Sequence, residues 1–238
     1  MGLKEKLLAR EATLGVIGLG YVGLPLAVEK AKAGFKVYGF DVQKEKVDMV
    51  NAGKNYIGDV VNEDLEALVK AGQLVATANF ADAAKCDCVC ICVPTPLDAH
   101  QQPDISYVRA STESIVPYVH KDMLVVLEST TYPGTTEELC KPILETSGLK
   151  CGVDFYLAFS PERVDPGNLV YKTKNTPKVV GGCTPECTEV AAAMYEAVLE
   201  APVYKVSSPA IAEMEKILEN TYRNVNIGLI NELAILCD

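Results

Sequence analysis

The run Gly18-Leu19-Gly20-Tyr21-Val22-Gly23 constrains this chain more than any other stretch. It joins a short β-rich segment, Thr13 to Gly18, to a small and apolar segment at helical spacing, Tyr21 to Ala33, which Gly34 stops. Lys36 to Phe40 returns as a second strand, and Asp41 ends it, 23 residues after Gly18. Glycines in turns are common, so the pattern alone is weak; its place between a strand and a helix gives each glycine a task. Gly18 permits the tight turn, Gly20 lets the backbone reach a pyrophosphate, and Gly23 lets helix and strand pack closely. The helix N-terminus adds unpaired N–H donors and a partial positive charge, so even an acidic chain can hold a dianion there. The alternative is a glycine-rich turn with Asp41 as a cap.

On the binding reading, Tyr21 and Val22 lie in the same loop as the glycines. The Asp41 carboxylate suits the ribose hydroxyls of an adenosine and repels a 2′-phosphate, which favours NAD over NADP; Lys44 nearby works the other way.

Composition narrows the rest. An apolar content of 49% in 238 residues fills a real core and excludes disorder. With 22 Lys and Arg against 32 Asp and Glu, the net charge is −10 and no basic stripe tracks a phosphate backbone, so nucleic acid is not an expected partner. No apolar run approaches the roughly 20 residues of a membrane span, and Met1 to Arg10 alternates charge with Leu where a signal peptide is apolar. A soluble, cytoplasmic protein is expected. Nine cysteines, an odd count, suit free thiols in a reduced compartment. Cys86, Cys88, Cys90 and Cys92 suggest a metal cluster, but residues two apart on a strand face stand roughly 6–7 Å apart. That is too far for thiolates around one zinc with Zn–S near 2.3 Å, so no metal is expected. Cys183 and Cys187 have no second ligand pair.

Further on, Glu63 to Ala71 reads as a helix, Leu74 to Thr77 as a strand, and Cys86 to Val93 as an apolar strand ending at Pro94. Ile105 to Val119 is helical, Met123 to Glu128 a strand, Thr135 to Thr146 helical and Phe155 to Phe159 a strand. This alternation predicts an α/β fold, a doubly wound parallel sheet covered on both faces. From Ser208, which can cap, and Pro209, which suits a first helical position, nothing stops a helix through Asp238 except a tolerable Gly228. Apolar residues fall at Ile211, Met214, Leu218, Tyr222, Val225, Leu229, Leu233 and Leu236, the stripe of an amphipathic helix about 45 Å long. Met214 and Tyr222 are expected in the core. The division is a nucleotide-binding domain over 1–206 and the start of a connecting helix over 207–238. The chain ends inside the apolar pattern, so a fragment of a longer protein is expected.

Ligands of open parallel sheets sit beyond the carboxyl ends of the strands. Three more strands end in polar segments there: Val93-Pro94-Thr95-Pro96, Glu128-Ser129-Thr130-Thr131 and Phe159-Ser160-Pro161-Glu162-Arg163. Thr95 and Thr130 could touch cofactor or hold a water, and Glu162 could act as base or orient water; each could equally be a cap or turn residue. On the long helix Lys216, Asn220 and Asn224 are four apart. Either they form a solvated face, or the ammonium stabilises a developing alkoxide with Asn220 beside it.

Taken in this order, the pieces resemble the nucleotide-sugar 6-dehydrogenases, the UDP-glucose and UDP-N-acetylhexosamine dehydrogenase family. The resemblance runs over nearly the whole chain in five blocks: Gly15 to Pro25, Val93 to Pro96, Glu128 to Gly134, Ser160 to Gly167, and Lys216 to Thr221. Ser-Pro-Glu-Arg followed by Asp-Pro-Gly-Asn is similar to the UDP-N-acetylglucosamine or UDP-N-acetylgalactosamine branch, whereas UDP-glucose enzymes usually carry Pro-Glu-Phe-Leu there. The resemblance implies a UDP-sugar whose 6-hydroxymethyl group is oxidised twice, with two NAD, through an aldehyde and a thioester on a cysteine. It assigns water handling and thioester hydrolysis to Thr130 and Glu162, oxyanion stabilisation to Lys216 with Asn220 as its partner, and the nicotinamide border to Thr95 and Glu128 to Thr130. It also implies a homodimer through the 209–238 helix.

One departure stands out. The family nucleophile lies in a Gly-Gly-x-Cys block well beyond the lysine helix; none of the nine thiols here matches it, Cys237 included. The chain is therefore expected to be the N-terminal cofactor half, without full turnover. The rivals are a UDP-glucose 6-dehydrogenase, a non-catalytic NAD-binding module, and a 3-hydroxyacid or 6-phosphogluconate-type dehydrogenase. The module has no use for Glu162, Lys216 and Asn220 together, and the last does not explain the Ser-Pro-Glu-Arg block.

Overall fold

A computed structural model describes residues 2–163, 168 and 170–237. After a short helix α1 (Leu3–Leu8), strand β1 (Thr13–Ile17) leads through the glycine turn into α2 (Gly23–Lys32) and back along β2 (Lys36–Phe40). Helices α3 (Lys44–Asn51) and α4 (Asn62–Lys70) precede β3 (Leu74–Thr77) and β4 (Cys88–Ile91). Then come α5 (Ser106–Ile115), β5 (Leu124–Leu127), α6 (Lys141–Glu145) and β6 (Tyr156–Phe159). Strand β7 (Lys178–Gly182), α7 (Pro185–Glu196), β8 (Val203–Val206) and α8 (Pro209–Cys237) close the chain.

Among the described residues the strands form a single sheet of eight in the order β3-β2-β1-β4-β5-β6-β7-β8. One apolar layer covers each face. Leu14, Val16 and Cys88, Cys90 and Cys92 pack with α2 and α7, while Ile17, Phe40, Val89 and Ile91 pack with α5 on the other side. Strands β4 and β5 are buried at every residue, as continuous apolar runs in a two-sided sheet must be.

The sheet differs from the wholly parallel one expected: β7 runs antiparallel to β6, with Ala158 opposite Gly182 and Phe159 opposite Gly181. A parallel neighbour needs a covering crossover, usually a helix, and the described residues between β6 and β7 contain none. The expected helix Thr135 to Thr146 is also two pieces, a wide π-type turn over Thr135–Cys140 followed by α6. Pro142, which has no N–H to donate, forces that break.

Helix α8 meets the expected length, and Ser208 caps it by accepting the Ile211 N–H at 3.4 Å. Its docked face is not the apolar stripe. Ala212, Glu213 and Lys216 turn inward and are buried, whereas Met214 and Tyr222, expected in the core, are 49% and 71% exposed. From Asn220 to Cys237 every residue is exposed. No helix among the described residues is long and apolar enough to cross a membrane.

Candidate functional site: a cleft over the carboxyl ends of the strands

The glycine turn is built as its sequence demands. Gly18 has φ +89°, and a Cβ there would stand 2.6 Å from the Cys92 carbonyl oxygen. A Cβ on Gly23 would lie 1.8 Å from the Gly18 carbonyl oxygen, so only glycine lets α2 start this close to β1. Gly20 has no neighbour within 4 Å of its Cβ position, which leaves its backbone open to a ligand. Tyr56, which the sequence reading did not single out, holds the turn from outside: its hydroxyl donates to the Leu19 carbonyl oxygen at 2.7 Å.

Above this turn lies a cleft of about 820 Å³. Gly18, Gly20, Tyr21, Val22, Asp41, Thr95, Thr130 and Glu162 all line it; Gly23 packs beneath. The volume and the mixture of apolar walls with a few polar groups fit a dinucleotide. Asp41 is almost buried, and its carboxylate accepts the Leu19 N–H and the Gln43 N–H, each at 2.9 Å. Each oxygen keeps a lone pair for a ribose hydroxyl. The cation beside Asp41 is Lys46, at 3.6 Å, rather than the Lys44 flagged from sequence.

The loops after β4 and β5 are sewn together across the cleft floor. The Thr95 hydroxyl donates to the Thr130 carbonyl oxygen at 2.5 Å, and the Ser129 hydroxyl donates to the Val93 carbonyl oxygen at 2.9 Å. Thr131 on the cleft wall and Ser160 behind it carry buried hydroxyl oxygens without a hydrogen-bond partner among the described residues.

At the far end of the cleft, Lys216 Nζ stands 3.9 Å from Glu162 Oε2, both side chains about 10% exposed. Two sets of contacts, neither anticipated, bring α8 there. Glu213 accepts the Gly134 N–H at 2.6 Å, the Thr136 N–H at 2.9 Å and the Thr136 hydroxyl at 2.6 Å. Burial nevertheless raises the Glu213 carboxyl above the usual range, the three hydrogen bonds pulling the other way. Arg163 donates to Glu215 at 2.6 Å and to Glu219 at 2.5 Å. Arginine and two glutamates at i, i+4 on a helix are a readable charge pattern, but nothing in the sequence says that the arginine lies 52 residues upstream of its partner.

The Tyr21 phenol is pushed up by burial and then by the negative charge of Glu162, with which it shares the cleft lining. Asn220 and Asn224 are exposed, one and two turns beyond Lys216, and the structure does not bring them into the cleft. Val164, Asp165, Pro166 and Gly167 of the Ser160 to Gly167 block lie outside the described residues, as does Asp238. Cys92 is a thiol on the cleft wall; burial first and Glu128 second hold it well above the usual thiol range, the opposite of an activated nucleophile. Among the described residues, no group of three or more His, Cys, Asp or Glu is placed to hold a metal ion.

Comparison with known proteins bears on the same architecture. The UDP-N-acetyl-D-glucosamine 6-dehydrogenase of Pseudomonas aeruginosa is 42% identical over 228 residues, covering 95% of this chain and 53% of that protein. Protein CapL of Staphylococcus aureus is 44% identical over 226 residues, covering 94% of this chain and 52% of that protein. Among solved structures, a UDP-D-ManNAc dehydrogenase from Pyrococcus horikoshii superposes with a TM-score of 0.89 at 35% identity, over 94% of this chain and 53% of that one. The chain thus spans about half the length of the curated relatives it matches. A model described as the UDP-glucose/GDP-mannose dehydrogenase family, NAD binding domain, matches residues 12–199. With that match over most of its length, the chain belongs to the UDP-glucose/GDP-mannose dehydrogenase family and carries its NAD-binding domain.

Proposed function

We propose that this chain is the cofactor half of a cytoplasmic UDP-N-acetylhexosamine 6-dehydrogenase, which oxidises the sugar's C6 hydroxymethyl group to a carboxylate. Residues 1–206 bind NAD, and 207–238 begin the helix that connects to a UDP-binding half and pairs with a second copy. The reading rests on the Glu162–Lys216 pair at the end of an NAD cleft, within a Ser-Pro-Glu-Arg block. The names of the relatives favour an acetamido sugar over glucose.

Bound NAD supplies the hydride acceptor. Gly18, Gly20, Tyr21 and Val22 would hold its diphosphate at the helix turn whose close packing Gly23 permits, Asp41 would take a ribose, and Thr95 with Thr130 would border the nicotinamide. When a carbinol loses hydride its oxygen must shed a proton and tolerate charge, and a cation at that oxygen lowers the barrier. Lys216 is that cation; Asn220, one turn on at the i, i+4 spacing, is exposed in this chain and would act as its partner only with the remaining half packed over that turn. Glu162 and Thr130 orient and activate the water that releases the product from a cysteine supplied by the remaining half. A sensor that only binds NAD has no use for a carboxylate on the cleft lining with an ammonium held 3.9 Å from it.

The test is Glu162→Gln in the protein completed with the half its relatives carry. Product acid released from UDP-N-acetylglucosamine is expected to fall by about 100-fold or more, with NAD affinity unchanged. Unchanged release would remove Glu162 from the chemistry.

A further inference from the structure

Where the cleft wall meets a neighbouring cavity lies a buried polar cluster: Glu128 lines both, and Lys178 lines the second. Glu128, Lys178 and Tyr195 are 3%, 4% and 0% exposed. Lys178 Nζ donates to Glu128 Oε1, and also to the Pro161 carbonyl oxygen at 3.2 Å. The Tyr195 hydroxyl donates to Glu128 Oε2 at 2.6 Å, and the Lys178 ammonium stands 5.2 Å from the centre of the Tyr195 ring. Both carboxylate oxygens are thereby satisfied, the condition under which a buried pair persists. Such a pair adds little stability over apolar residues of the same volume. Its use is better sought in what it holds.

The reversed strand explains how a lysine comes to be there. In a wholly parallel sheet, β7 would bring its last residue, Gly182, to the carboxyl ends where ligands sit. Running the other way, it brings its first, Lys178. Carried three residues past the Phe159–Gly181 pair, the β6–β7 register sets Lys178 level with Glu162. The carbonyl that Lys178 holds belongs to the peptide leading into Glu162. Glu128 follows β5 directly, in the block that continues through Ser129 and Thr130, so the pair ties the exits of two neighbouring strands to one point.

We propose that Lys178 is a positioning residue: clamped by Glu128 and Tyr195, it fixes the Pro161–Glu162 peptide and so sets the Glu162 carboxylate against Lys216 at the end of the cleft. This rests on the reading of Glu162 as the group that handles water. The antiparallel β7 is then part of the site, because its first residue delivers a cation to the exit of β6.

Lys178→Met alone leaves the Glu128 charge buried, and that variant can fail to fold. The test therefore uses Glu128→Gln/Lys178→Met, which removes both charges while the amide still accepts from Tyr195. In the completed enzyme, kcat with UDP-N-acetylglucosamine is expected to fall up to about 100-fold, well beyond any loss of NAD affinity from the change at Glu128 on the cleft lining, with KM for the UDP-sugar within about twofold and acyl adduct accumulating by mass spectrometry. Lys178→Arg is expected to recover part of the rate. A kcat within twofold of the parent, or a loss matched by equal loss of NAD affinity, overturns the proposal. Should the parent itself turn over no UDP-sugar, the functional reading fails, and the 238-residue chain decides the positioning role separately. There the carboxyl titration of Glu162, followed by carbon NMR, shifts in the double variant if Lys178 positions it; a curve superimposable on the parent's overturns it.

Discussion

The domain body and the outer half of α8 obey opposite rules of burial. In the body, β4, β5 and β7 are buried at every residue. Along α8 from Asn220 onward every residue is exposed, among them Tyr222 at 71%, Ile235 at 72% and Leu236 at 80%. The inner turns are inverted as well: Glu213 and Lys216 face the body, while Ile211, Met214 and Leu218 face out. Hydrophobic period reveals a helix and its apolar face, but not which face its own domain covers. The charged side of α8 is fixed to the cofactor site, and its apolar side has the character of an association surface, which accords with the proposed homodimer.

Substitution sharpens that contrast most where burial is complete. Phe35, wholly buried under α2, is expected to cost about 3–5 kcal/mol as Phe35→Ala in urea unfolding. Leu233→Ala, on the exposed face, is expected to change the stability of the dissociated chain by no more than about 0.5 kcal/mol while lowering self-association in light scattering. Equal losses at both positions would break the comparison.

Smaller effects are expected at the cofactor turn. Gly23→Ala drives a Cβ against the Gly18 carbonyl, so NAD affinity measured by calorimetry should fall about 100-fold or more, roughly 2.7 kcal/mol. Asp41→Asn keeps an acceptor but loses the charge, and about tenfold weaker NAD binding with a reduced preference over NADP is expected.

The smallest effect belongs to the hinge between the two regions. Glu213 has its pKa raised in the folded state, so the folded chain binds the more protons; its contribution is complete below the unfolded carboxyl value and declines as pH rises through the folded one. Glu213→Gln lacks this titration. The stability of the parent relative to Glu213→Gln should therefore decrease from acid toward neutral pH, as read from urea midpoints; an increase would contradict the burial of that carboxyl.

Legibility in the sequence followed locality. Gly18, Gly20 and Gly23 encode backbone angles and approach distances, so the turn, its helix and the position of Asp41 could be read directly. The strand exits carrying Thr95, Thr130 and Glu162 were legible because apolar runs stop there at Pro or polar residues. Strand direction leaves no trace in a two-residue period, and the reversal of β7, with Lys178 at its head, stayed hidden. So did contacts joining distant segments, such as Glu128 to Lys178 and Arg163 to Glu215. Asn220 shows the converse: its spacing from Lys216 was plain, yet the helix leaves the body before that turn.

Calorimetric titration of the 238-residue chain with NAD and NADP asks whether cofactor recognition is already complete in the body, whatever later covers α8. Saturable binding of NAD, at least about tenfold tighter than NADP, is the result expected from the glycine turn and the Asp41 carboxylate. No saturable binding of NAD, or NADP held as tightly, would contradict it.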